Sequence, residues 1–345
     1  EKDGPSRLSK IKAVLPGFFF ELCEFGYSVY SFALLSWLIA VKKPDFIYDR
    51  YITFNIGGVL AAKIFKTPLF LEVNAPLALE RSEQPDEKLY LKKMAFAMER
   101  WACSNSFKTI VVSTPLKEYL VKQEVPEKQI VVMPNGVNPQ KFYPHDKNKY
   151  LMAQLGIDSK NVVIGFTGVL RHWHGLDLLL HAFRKIIESH ENVCLLIIGD
   201  GPIRKELERL INVYSLNGKV IITGRVVYNM VHEYVNLFDI AVSPKATFYA
   251  SPMKVVEYMG LGKLVVVPNS PNFLDLVDNG VNGLVFGDND MPELADGLLA
   301  IIDNPQYYKS LKKNAVKKVK SQLNWQSNAS YICSMVSSVF SEKPQ

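Results

Sequence analysis

Cysteine is scarce in this chain: four residues in 345. Cys23, Cys103, Cys194 and Cys333 stand far apart and form no C-x-x-C pair. That argues against a disulfide framework and a thiolate zinc site, and it fits a reducing cytoplasm. Each reads as a small core residue rather than a nucleophile. Charge of one sign is not in large excess either. Lys and Arg number 40 against 34 Asp and Glu, a net charge of +6. The balance suits an anionic ligand or an anionic membrane surface. The basic residues are not interleaved with an aromatic platform, so nucleic acid is not an expected partner.

No signal-peptide pattern is visible, and long hydrophobic runs are nearly absent. The exception is Phe25 to Val41, 17 residues without a charge, followed by Lys42 and Lys43. It falls short of the ~20 residues that usually span a bilayer. Glu21 and Glu24 precede it, and Gly26, Ser28, Ser31 and Ser36 dilute its hydrophobicity. A buried or interfacial helix is the expectation. The chain opens on Glu1 rather than Met, so we expect further residues upstream.

At this length the default is more than one domain. The dominant pattern is short, β-branched, continuously apolar runs separated by helical segments. Expected strands are Phe46–Asp49, Leu69–Val73, Thr109–Ser113 and Ile130–Met133, then Val162–Thr167, Val193–Ile198, Val220–Thr223, Ile240–Ser243, Leu264–Val267 and Leu284–Phe286. Continuous runs mark parallel strands buried on both faces. Leu176, Leu179, Leu180, Phe183 and Ile187 line one face of an intervening helix over Leu176–Ser189. Repeated βα units predict right-handed parallel sheets. Pro139 to Lys149 breaks the pattern and reads as a linker. The domains expected are 1–143, an acceptor-side Rossmann-like domain, and 144–325, a nucleotide-sugar domain. Residues 326–345 are expected to form a helix returning to the first domain. Two such sheets facing each other would enclose a cleft at their carboxyl ends. The first domain shows only four strands and no glycine-rich loop, so it is expected to be incomplete.

The segment from Ser251 (Ser-Pro-Met-Lys-Val-Val-Glu-Tyr-Met-Gly-Leu-Gly) predicts a helix with Ser251 as N-cap and Pro252 at its first position. Its N-terminus suits phosphate oxygens. Lys254 sits beside that anion position, and Glu257, one turn on, can accept from ribose hydroxyls. On residues alone, an ordinary solvated Lys254–Glu257 helical pair explains the spacing equally well.

The motifs in order are more specific. Pro134-Asn135-Gly136-Val137-Asn138 with Phe142 and Pro144 resembles the interdomain signature of glycosyltransferase family four. Gly168-Val169-Leu170-Arg171-His172-Trp173-His174-Gly175 resembles that family's phosphate loop. Gly199-Asp200-Gly201-Pro202, Thr223-Gly224-Arg225-Val226, Ser251–Gly262 and Gly280-Val281-Asn282-Gly283 follow in the family's order. The likeness covers about Lys108 to Pro305 well. It implies a GT-B fold, α/β with two Rossmann-like domains, and a retaining transferase that needs no metal and no cofactor. It implies that Gly168 and His174 flank the donor phosphates and that Arg171 and Lys254 supply the cations. Glu257 would hold the ribose, and Arg225 and Val226 would border the base. Residues Ala250 to Met253, Ser251 among them, would face the diphosphate and sugar. Tyr249 stands where the family usually places a donor-binding Glu, and Val169 and His174 where it places Arg and Lys. This Trp-His-Gly and Ser-Pro-x-Lys-x-x-Glu pattern resembles one branch of the family. Asn74, after Leu71-Glu72-Val73, occupies about the place of a family His; Asn positions a hydroxyl but is no base. A strand-end turn residue is an equal reading of it.

The implied function is transfer of a sugar from a nucleotide-sugar donor to a lipid-linked or polysaccharide acceptor. Peripheral contact with the inner face of a membrane is a further expectation. The alternatives are a catalytically silent nucleotide-sugar-binding subunit and a nucleotide-sugar epimerase of the same fold. Lys309 to Lys320, with Leu311, Ala315, Val316 and Val319 at helical spacing, reads as a solvated helix face rather than a membrane patch.

Overall fold

A computed structural model describes residues 17–83 and 89–341. The chain divides into two compact units between Met133 and Pro134. In the first, β1 (Ile47–Arg50), β2 (Leu69–Val73), β3 (Lys108–Val111) and β4 (Ile130–Val132) form a parallel sheet in sequence order. Helices Gly57–Phe65, Lys92–Asn105 and Thr114–Lys122 make the crossovers. Ser113 caps the last by accepting from the Leu116 N–H, with Pro at the helix start.

The apolar N-terminal stretch lies in a helix, Gly17–Lys42, of 26 residues. By length and composition it is long enough to cross a membrane, because the helix continues beyond the uncharged Phe25–Val41 stretch to Gly17. Its burial is the reverse of a core helix. Glu21, Ser28, Ser31 and Ile39 are its buried side chains, while Phe19, Leu22, Val29, Tyr30, Trp37 and Val41 are exposed. The polar stripe is satisfied from the protein side. Glu21 accepts from the Tyr90 and Leu91 N–H groups, each at 2.7 Å. Ser28 Oγ accepts from Ile56 N–H, and the Ser31 hydroxyl is 2.8 Å from Asn55 Oδ1. Gly57 permits the contact, since a Cβ there would overlap the Ser28 carbonyl. Of the two expectations, the buried helix is corrected: three of its four buried side chains are polar, and its large apolar ones face out.

The second unit holds a six-stranded parallel sheet: β5 (Val162–Thr167), β6 (Val193–Ile198), β7 (Val220–Ile222), β8 (Ile240–Val242), β9 (Leu264–Pro268) and β10 (Leu284–Phe286). Its order is β10-β9-β8-β5-β6-β7, the 3-2-1-4-5-6 winding of a Rossmann sheet with its switch point between β5 and β8. Successive residues enter opposite cores. Ile164, Phe166, Leu195, Ile197 and Val242 pack with helices Leu176–Ile187 and Met291–Asp303, whereas Val163, Leu196, Ile198, Ala241 and Val265 pack with Met253–Gly260 and Lys309–Ser321. Both faces are dry, which is why the strands read as unbroken apolar runs. In Lys309–Ser321 the buried residues are Leu311, Ala315 and Val319.

Residues 134–142 pack within this second unit. The Val137 N–H donates to the Leu323 carbonyl, the Trp325 N–H to the Val137 carbonyl, and Asn328 Nδ2 to the Pro134 carbonyl. Helix Trp325–Ser341 therefore begins as part of the second unit's packing. Asn148 caps helix Lys149–Gln154 by accepting from Leu151 N–H, so the Pro139–Lys149 stretch ends on a helix start.

Candidate active site

The carboxyl ends of β5, β6 and β7 and the loops after them line a cleft of about 620 Å³. Thr167, Gly168 and Val169 come from β5 and its loop, Gly199 to Gly201 from β6, and Arg225 and Val226 follow β7. Gly168 (φ +150°) and Gly199 (φ +141°) adopt backbone that other residues avoid. They also touch: a Cβ on Gly199 would overlap the Gly168 carbonyl oxygen. The Gly168 N–H donates to the Ile198 carbonyl and the Leu170 N–H to the Asp200 carbonyl, each at 3.0 Å. Tyr258, fully buried, accepts from the Thr167 N–H at 2.7 Å and pins the end of β5.

After β8, the chain runs to helix Met253–Gly260, whose N-terminus lies against Gly168. A Cβ on Gly168 would be 2.9 Å from Lys254 Nζ. The ammonium also sits 4.2 Å from the Phe166 ring centroid and 3.4 Å from His174 Nδ1. Burial pushes the Lys254 pKa down to about 7, opposed by the nearby Glu257. Glu257 is pushed up to about 7 by burial, against the pull of Lys141 and then Lys254. Burial, then the charge of Lys254, lowers His174 to about 4, so its imidazole is neutral at physiological pH. Burial thus holds both Lys254 and Glu257 near neutrality beside a glycine-built cleft, which distinguishes them from a solvated helical pair.

Ser251 does not act as the N-cap. Pro252 takes that position without a side-chain bond, because the Ser251 hydroxyl accepts instead from the Asn135 N–H at 3.0 Å. Asn135 Nδ2 donates to the Ser251 carbonyl, and Asn272 Nδ2 to the carbonyls of Thr247 and Ala250. These two asparagines fix the segment ahead of the helix and leave its N-terminus without a side-chain cap. Asn272 carried no motif signal, and Asn135 and Phe166 belong to the site only through contacts made across the fold. Lys141 is a similar case: its ammonium stacks 3.9 Å above the Tyr228 ring and faces Glu257 electrostatically.

Of the residues expected at the site, Gly168, His174, Lys254 and Glu257 come together, and Arg225 and Val226 line the cleft. Arg171 is exposed, its guanidinium 4.8 Å from the Trp173 ring. Met253 is exposed beside buried Ser251, and half-buried Tyr249 packs edge-on against Phe248. Asn74 lies in the first unit after β2. Its Nδ2 donates to Glu72 Oε1 at 2.6 Å, while its buried Oδ1 has no partner. Among the described residues, no cluster of His, Cys, Asp or Glu has the spacing of a metal site.

The family model for glycosyl transferases group 1 matches residues 148–318, and that for glycosyltransferase family 4 matches residues 3–141. The chain is 27% identical over 237 residues to an uncharacterized glycosyltransferase of Methanocaldococcus jannaschii, covering 68% of this chain and 60% of that protein. It is 25% identical to the alpha-monoglucosyldiacylglycerol synthase of Acholeplasma laidlawii, covering 65% and 56%. It is 24% identical to the lipopolysaccharide 1,2-N-acetylglucosaminetransferase of Salmonella typhimurium, covering 72% and 66%. The matched part thus spans about three fifths of the length of these relatives. Among solved structures, a glycosyltransferase from Rickettsia africae has a TM-score of 0.74 at 17% identity, covering 92% of this chain and 82% of that one. HepE from Anabaena, in complex with UDP, has a TM-score of 0.73 at 19% identity, covering 89% and 82%. At those identities the likeness speaks for the fold.

Proposed function

The chain belongs to the glycosyl transferases group 1 family, with its α/β GT-B fold, and from that premise we propose that it is a retaining glycosyltransferase. In this reading it moves a sugar from a nucleotide-sugar donor to a lipid-linked or polysaccharide acceptor. One observation carries the donor assignment. Lys254, the glycine backbone of β5 and β6, and an uncapped helix N-terminus converge at the end of β5, with Glu257 one turn further along. A diphosphate fits the first three, since N–H groups, a helix dipole and a half-buried cation all favour it. Glu257 accepts from the ribose hydroxyls, Arg225 and Val226 border the base, and Tyr249, Ser251 and Met253 lie along the diphosphate and sugar. HepE, the UDP-bound neighbour, supports a uridine nucleotide.

The chemistry required of the protein is electrostatic. As the bond to the sugar breaks, charge builds on the leaving diphosphate. Lys254, Arg171 and the helix N-terminus stabilise that charge without the aid of a metal in this reading. Bringing a dianion beside Lys254 restores its proton. Asn74 has the chemistry to orient a hydroxyl and no basicity to take its proton. The named lipid and lipopolysaccharide products of two relatives support an acceptor of that kind. The outward apolar side chains of Gly17–Lys42, followed by Lys42 and Lys43, support a peripheral contact with an anionic, cytoplasm-facing membrane surface.

The test is a thermal-shift panel of UDP, ADP, GDP and their glucose conjugates on the intact chain and on Glu257→Ala. UDP is expected to raise the transition of the second unit, and Glu257→Ala to abolish that rise. Absence of a shift with every nucleotide removes the donor site. A shift without release of UDP from any UDP-sugar moves the reading to a silent binding subunit.

A further inference from the structure

Lys254 and His174 face each other across the mouth of β5, and the geometry of the pair constrains what each can do. The lysine ammonium has three donors and no acceptor, while a neutral imidazole has one of each. With Nζ 3.4 Å from Nδ1, the charged lysine requires the bare nitrogen to be Nδ1, which leaves the ring proton on Nε2. The ring is held in that attitude. The Lys245 backbone hydrogen-bonds it, and it lies 5.6 Å from Phe166 and 6.1 Å from Trp173, centroid to centroid.

We propose that His174 is a positioning residue for the donor diphosphate: it accepts a hydrogen bond from Lys254 and so holds that ammonium over the Gly168 backbone. The proposal rests on the donor-site reading above. Lysine carries its charge on a flexible four-carbon stem and is not pre-organised as arginine is. Nζ faces the Phe166 ring, which attracts a cation without directing its N–H groups, and Nδ1, which directs one of them. One N–H bound to Nδ1 leaves two to meet phosphate oxygens. The other charged groups bearing on the pair are Glu257, which favours the charged lysine, and Arg171, which disfavours a charged imidazole. Lys141 acts on Glu257 in turn. A protonated His174 would point a donor at a donor and repel the lysine. Its neutrality is therefore part of its role.

The experiment is a double-mutant cycle with UDP as the probe, read by calorimetry at pH 6.5, with thermal denaturation as the check on folding. His174→Leu fills the same space without an acceptor and is expected to weaken UDP about tenfold or more. His174→Asn, which restores a neutral acceptor, is expected to recover most of the loss. In a Lys254→Met background, His174→Leu is expected to cost nothing further, because the imidazole acts through the lysine. An equal loss in both backgrounds overturns the proposal, as does a His174→Leu protein that binds UDP normally. A parent chain that binds no UDP, ADP or GDP defeats the donor-site reading itself, and the inference with it.

Discussion

Glu257→Gln is the perturbation in which binding and stability are expected to move in opposite directions. Burial holds the Glu257 carboxyl at about 7 in the folded chain, against 4.5 for a free glutamate side chain. A carboxyl raised on folding binds more protons in the native state between those two values, so stability falls as pH rises from 4.5 to about 7. Above 7 the whole cost is present, and below 4.5 it is absent. The displacement from 4.5 to about 7 corresponds to about 3 kcal/mol. Gln has nearly the same shape and never ionises, so it relieves that cost at pH 8 and leaves pH 4 unchanged. Removing Glu257 also withdraws support from the Lys254 charge. The effect is small at pH 8, where a lysine poised near 7 is already mostly neutral. Calorimetric unfolding at pH 8 should therefore raise the second unit's transition by several degrees, at about 2–4 °C per kcal/mol for a domain of this size. At pH 4 the parent and variant transitions should coincide. The same variant should bind UDP about tenfold or more weakly, since amide hydrogen bonds replace charge-assisted ones. A variant less stable than the parent at pH 8 would refute the reasoning. It would show that the Glu257 charge is paired in the native state rather than stranded there for a ligand.

Gly199→Ala should destabilise the second unit by at least about 2 kcal/mol, from the strained φ and the overlap with Gly168 O together. A urea midpoint within error of the parent would contradict the close approach of the β5 and β6 ends. Replacing Phe19 and Trp37, both outward on Gly17–Lys42, by Ser should lower partitioning onto anionic vesicles at least tenfold. UDP binding should be unaffected, because that site lies in the second unit. Undiminished vesicle partitioning, measured by flotation, would remove this helix as the membrane contact.

Each of the ten expected strands exists, within a residue or two at its ends; the central strands β5, β6, β8 and β9 read most plainly, because strands buried on both faces have little room for a polar residue. Glycine was equally legible. Gly168, Gly175 and Gly224 stand where backbone with positive φ is required. Neither the length nor the burial of helix Gly17–Lys42 follows from its own residues, for one reason. Its apolar composition says only that water is unfavourable around it, whereas its inward stripe is chosen by partners 24 to 70 residues away, such as Leu91 for Glu21 and Asn55 for Ser31.

The site shows the same division. Sequence alone determined the βα rhythm, the positions of the glycine turns and the spacing of Lys254 and Glu257, since each depends on local backbone geometry or on a short helical repeat. It left open whether that lysine and glutamate were a solvated pair. Tertiary structure decided the question by burying Glu257 and half-burying Lys254, by spending the Ser251 hydroxyl on Asn135, and by setting His174 against Lys254 from 80 residues away. Burial and long-range hydrogen bonds set the protonation and aim of these groups. Both are properties of the folded chain, since the desolvation that shifts a pKa exists only once distant segments have closed around the group.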